Sequence, residues 1–111
     1  MTFNDEEQAL AREELARMPG PVVVEFGASW CGFCRSFAPQ FARLLQEFDG
    51  VTHIKVEDGR GKPLGRSFRV TLWPTFVFQR DGKVLDKLVR PGVDEVREAF
   101  GRLTEENLTE A

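Results

Sequence analysis

The chain has 111 residues, 15 Lys and Arg against 18 Asp and Glu, a formal net charge of −3, ten Phe, two Trp and no Tyr. That length fits one domain, read here as 1–111 with a core over about 4–104 and a polar tail over 105–111, and it can bury a core without a metal or a staple. The charge points to no nucleic acid and no membrane as partner, no apolar run nears the roughly 20 residues of a membrane span, and the acidic, polar start does not read as a secretory signal.

Asn4 with Glu7 has the form of a capping box, and Leu10, Ala11, Leu15 and Met18 follow at helical spacing until Pro19-Gly20-Pro21 stops the helix. Val22 to Phe26 is continuous and β-branched, as in a strand buried on both faces. After Ala28-Ser29-Trp30 the period turns helical. Phe37, Phe41, Leu44 and Phe48 share one face, Pro39 inside the run predicts a kink, and Asp49-Gly50 ends it. Val51 to Val56 reads as a strand. Gly59 to Gly65 reads as loop, with Pro63 opening a short helix that carries Leu64 and Phe68. Thr75 to Phe78 is a strand, Asp81-Gly82 a hairpin turn, and Val84 to Val89 the returning strand. Pro91-Gly92 breaks it, and Val96, Phe100 and Leu103 mark a last helix. The order α-β-α-β-α-β-β-α implies parallel pairing first and an antiparallel hairpin at the close.

The only cysteines, Cys31 and Cys34, lie three apart just past the first strand. If Cys31 starts the helix, both fall on one face within the range a disulfide requires. Unpaired N–H groups and the positive end of the helix then favour a thiolate on Cys31, the sulfur expected to be more exposed and more acidic than usual. Cys34, a turn deeper and shielded by Phe33 and Phe37, is expected to keep its proton until it resolves a mixed disulfide. Three other readings stand beside this one: small apolar packing residues, half of a metal site, or a pair kept in a fold used only for binding. Zinc normally takes four ligands, and the chain supplies one His, His53, and no second cysteine pair.

The run Glu25-Phe26-Gly27-Ala28-Ser29-Trp30-Cys31-Gly32-Phe33-Cys34, with Phe37-Ala38-Pro39, resembles the active-site region of thioredoxins. Trp73-Pro74-Thr75 resembles the family's cis-proline segment, and Asp81-Gly82-Lys83-Val84 its hairpin. The likeness runs from about residue 4 to 104. It implies an α/β thioredoxin fold, a central mixed sheet of four to five strands flanked by four helices. It also implies a thiol–disulfide oxidoreductase acting on disulfide-containing protein substrates, with Cys31 the nucleophile and Cys34 the resolving thiol. No bound cofactor is expected; electrons would come from an upstream reductase resembling thioredoxin reductase. A cytoplasmic monomer is expected, since structural disulfides are rare in that compartment. A binding or chaperone-like adaptor without turnover is the alternative of a different class, and a disulfide oxidase or isomerase is a third. Gly32-Phe33 replaces the family's Gly-Pro; it lacks the His of protein disulfide isomerases, which favours a reductase.

By the same resemblance, Glu25 stands where the family has a buried Asp that exchanges a proton with the resolving cysteine. Burial disfavours its charge. Pro74 is expected in the cis form, leaving the backbone at Trp73 to pair with an extended substrate. Trp30, Gly32, Phe33, Trp73 and Thr75 are the expected substrate-binding residues. Trp73 is larger than the aliphatic residue thioredoxins tend to carry; it either narrows the groove or packs against Trp30. His53, where thioredoxins have a Lys, is read first as a structural strand histidine and second as a proton partner of Glu25. Arg60, Lys62, Arg66 and Arg69 read as a solvated loop rather than a nucleic-acid patch.

Overall fold

Eight elements follow one another in the expected order, in a computed structural model that describes residues 11–105. They are α1 (Arg12–Ala16), β1 (Pro21–Gly27), α2 (Gly32–Glu47), β2 (Thr52–Glu57), α3 (Pro63–Ser67), β3 (Thr75–Arg80), β4 (Lys83–Val89) and α4 (Val93–Thr104). The Asn4–Glu7 cap and most of the polar tail lie outside the described residues. Among the described residues no helix is long and apolar enough to cross a membrane.

The sheet has four strands in the order β2-β1-β3-β4. β1 and β2 are parallel, with Val23 beside His53 and Glu25 beside Lys55. β3 runs antiparallel to β1, so parallel pairing ends after one pair. β4 closes the sheet as a hairpin on β3. Asp81 and Gly82 both take positive φ, 51° and 84°, the backbone of a tight two-residue turn. Asp81 also docks the turn on the start of β1, accepting from the Gly20 N–H at 2.7 Å.

β1 is buried on both faces, and its alternation feeds two cores. Val22, Val24 and Phe26 join Leu15, Ile54, Leu64 and Phe68 on one side. Val23 joins Phe41, Leu44, Phe76, Phe78, Phe100 and Leu103 on the other, under α2 and α4. Phe26, Phe76, Phe78 and Phe100 are fully buried, each stabilising the fold by roughly 1.5–3 kcal/mol. Glu25 falls on the same face as Val23, so its carboxylate points into the phenylalanine-rich layer.

α2 keeps its apolar stripe inward and continues through Pro39. Pro39 and Arg35 are both exposed, so water can serve the carbonyl that lacks its helical donor. At the start of α4 the Glu95 side chain accepts from the Gly92 N–H at 2.9 Å, satisfying one end donor. β2 and β4 are the sheet's outer strands. On β4, Lys83, Val84, Leu85, Lys87 and Val89 are exposed, and Asp86 is held by a two-pronged bond from Arg102 at 3.0 Å.

Candidate active site

Cys31 caps the N-terminus of α2 with extended backbone, φ −78° and ψ 119°. That places its sulfur over the first turn, where the Cys34 N–H donates to Sγ at 3.2 Å. A helix-end donor aimed at sulfur is what a thiolate there requires. Both cysteines are free thiols, gathered with Ala28 beneath Trp73. Their exposures, 6% and 5%, are nearly equal, so the expectation of a distinctly more exposed Cys31 is not met. What separates them is access. Cys31 lines an open groove of about 360 Å³ with Trp30, Gly32, Phe33 and Trp73, and Cys34 lies behind it. The Cys34 thiol is pushed up to about 12, first by burial and next by its hydrogen bond with Cys31, with the charge of Glu25 adding to the shift.

Phe33 does not shield Cys34. It is 60% exposed, because its place in the first turn of α2 turns the ring outward, under the guanidinium of Arg90 at 4.2 Å from the ring centroid. Trp30 is exposed as well, and its ring meets Trp73 edge-on at 5.2 Å. Trp73 thus both packs on Trp30 and walls the groove. The Trp73–Pro74 bond is cis. Thr75 is fully buried; its hydroxyl donates to the Leu72 carbonyl at 2.6 Å and braces the turn before Pro74 instead of facing the groove.

Glu25 is buried, and its Oε1 lies 2.8 Å from His53 Nε2. The structure brings together the pair that the second reading of His53 requires, and the same bond also suits a structural strand histidine. Neighbouring strands in parallel register put both side chains on one face, and Phe41 covers the imidazole at 4.8 Å between ring centroids. His53 Nδ1 is buried without a partner. The basic stretch lies around α3, with Arg60, Arg66 and Arg69 exposed.

Two residues here were not singled out in the sequence. Asp58 is buried and its Oδ2 accepts from the Trp73 indole N–H at 2.9 Å. Arg90 donates through Nε to the Trp73 carbonyl at 2.7 Å. A half-buried Trp needs an acceptor for its N–H, so a search for a carboxylate near Trp73 was available; nothing comparable marked Arg90. Among the described residues no group of three or more His, Cys, Asp or Glu is placed to hold a metal.

A dithiol at a helix start, beside a groove and ahead of a cis-proline, is the arrangement of a thiol–disulfide exchange protein. The sequence model of the thioredoxin family matches residues 4–99. The H-type thioredoxin of Ricinus communis is 39% identical over 83 residues, 75% of this chain and 70% of that protein. Thioredoxin H1 of Arabidopsis thaliana is 40% identical over 81 residues, 73% of this chain and 71% of its own length. Thioredoxin 2 from Pseudomonas aeruginosa PAO1, solved in its reduced form, is 48% identical with a TM-score of 0.81, covering 96% of this chain and 99% of that one. The chain belongs to the thioredoxin family. It is a thiol–disulfide oxidoreductase, a reductase of protein disulfides by dithiol–disulfide exchange.

Proposed function

We infer that Cys31 is the attacking sulfur and Cys34 the resolving one in this Trp-Cys-Gly-Phe-Cys site. The observation that carries the reading is the contrast between the two sulfurs. One receives a helix-end N–H and lines the groove; the other sits behind it with its proton firmly held. Cys31 thiolate attacks a substrate disulfide, forming a mixed disulfide and releasing one substrate thiolate. Glu25 takes the proton from Cys34. The Cys34 thiolate then attacks Cys31 Sγ, closing the enzyme disulfide and releasing the second substrate thiolate, which takes a proton from water. Two electrons have passed to the substrate, and an upstream reductase of the thioredoxin-reductase kind returns them.

Glu25 suits that role because its charge reaches Cys34 and His53 holds its carboxylate in place. Pro74 is cis and buried, and in this reading the backbone at Trp73 beside it pairs with an extended substrate. Trp30, Gly32, Phe33 and Trp73 form the contact surface, and Thr75 supports it from below. The cytoplasm, which keeps thiols reduced, is the compartment that suits a lone dithiol, and the chain acts as a monomer in this reading.

The test is insulin reduction driven by dithiothreitol. Cys31→Ser should abolish turnover, and Cys34→Ser should accumulate the mixed disulfide on Cys31. A mixed disulfide that accumulates on Cys34 in Cys31→Ser and not on Cys31 in Cys34→Ser, or full activity of Cys31→Ser, would overturn the assignment.

A further inference from the structure

Among the residues lining the groove beside Cys31, one side chain carries a permanent charge, and it is Arg90. The other exposed side chains of that wall are uncharged: Trp30, Phe33 and Leu72 are apolar, and Thr71 offers a neutral hydroxyl. Arg90 also borders a second groove of about 170 Å³, on the far side of Phe33, with Phe37 and Pro74. A substrate strand leaving Cys31 in that direction therefore crosses the guanidinium.

Its placement is held from three sides. The Arg90 backbone takes φ 46°, a left-handed conformation disfavoured for a residue with a Cβ. Its N–H donates to the Pro74 carbonyl at 2.9 Å, and Nε donates to the Trp73 carbonyl at 2.7 Å. The guanidinium lies over Phe33, 4.2 Å from the ring centroid. Among the described residues no carboxylate is paired with it. Guanidinium has five N–H donors in a fixed fork, and the bond to Trp73 uses the Nε donor. The remaining face is suited to a carboxylate, which binds such a fork in two-pronged fashion. An acidic side chain placed elsewhere along the groove wall would meet no second cation, only rings, aliphatic carbon and the neutral hydroxyl of Thr71.

We propose that Arg90 makes this protein select disulfide substrates that carry Asp or Glu next to the attacked cysteine. The selection rests on the assignment of Cys31 as attacking sulfur and adds a substrate class to it. Arg90 need not leave Trp73 to act: it anchors the backbone that receives the substrate and offers its free donors to the neighbouring carboxylate.

The experiment uses three peptide disulfides that differ only by Glu, Gln or Lys beside the cysteine. kcat/KM is measured with dithiothreitol as the recycling reductant, each value divided by the rate of dithiothreitol alone on that peptide. The expected preference for Glu over Lys is about tenfold at low salt, shrinking toward unity as ionic strength reaches about 0.5 M. Arg90→Gln should remove most of that ratio, Arg90→Lys retain part of it, and Arg90→Glu reverse it. A purely structural loss would lower all three peptides together and leave the ratio intact. No preference in the wild type, or an unchanged ratio in Arg90→Gln, overturns the proposal alone. No turnover of any of the three overturns the reading of Cys31 as well.

Discussion

Raising the pH tests the central asymmetry of the site. The Cys34 thiol moves from an ordinary 9.0 to about 12, chiefly through burial. At pH 8 an ordinary thiol is about one-tenth thiolate, whereas one at 12 is about one part in ten thousand. The sequence has no Tyr, so the ultraviolet band of the thiolate can be followed without tyrosinate beneath it. Titration of the reduced protein should show no thiolate from Cys34 until well above pH 10. Stability supplies the same information with a definite sign. Below about pH 9 folded and unfolded chains both hold the Cys34 proton, so pH has no effect through this group. Above it the unfolded thiol ionises first and the folded chain holds more protons, so stability falls as pH rises, by up to roughly 2–3 kcal/mol between about pH 9 and 11. Urea unfolding of the wild type against Cys34→Ala isolates that loss, because all other groups titrate in both. Two thiolates below pH 10, or parallel stability curves for the two proteins, would refute the argument.

His53→Phe keeps the contact with Phe41 but leaves Glu25 buried without its 2.8 Å partner, and should cost about 1–3 kcal/mol in urea unfolding; an unchanged midpoint would show that the pair does not matter. Gly82 has φ +84°, and a Cβ there would strike the Ala16 carbonyl, whereas Gly20, φ +74°, has open space. Gly82→Ala should therefore lose clearly more thermal stability than the roughly 1 kcal/mol of Gly20→Ala, and equal losses would falsify the clash. Gly65→Ala ought to gain helix propensity in α3, yet its Cβ would run into the Asp58 carboxylate that holds Trp73. The expected outcome is a net loss of about 1–3 kcal/mol with altered tryptophan fluorescence and slower insulin reduction; a more stable, fully active variant would remove Asp58 from the account.

The fold was legible because its signals are local. The apolar run of β1, the stripe on α2 and the Asp81-Gly82 turn each depend on neighbours in sequence, and the four strands each lie within two residues of their expected bounds. The cysteine pair was legible for the same reason. Phe33 was misread because adjacency in sequence does not say which way a first-turn side chain points, and here it points to solvent. The two readings of His53 stayed open in the sequence because its contact with Glu25, 28 residues away, depends on the register of two strands. Asp58 and Arg90 were missed because both act through Trp73, from the loop after β2 and the end of β4, and no spacing rule joins those places. The antiparallel entry of β3 was not legible, because no local signal fixes which way a strand runs against a neighbour far away in sequence.

The outer rim of β4 has a bearing on how this protein behaves at high concentration. Such a rim displays backbone donors and acceptors that a strand from another molecule can zip onto. Here Lys83 and Lys87 stand out from it, and Arg102 is clamped across Asp86. A second copy sliding alongside would press these charges together before any ladder could form. That flank thereby resists the edge-to-edge pairing that an uncharged outer strand would invite.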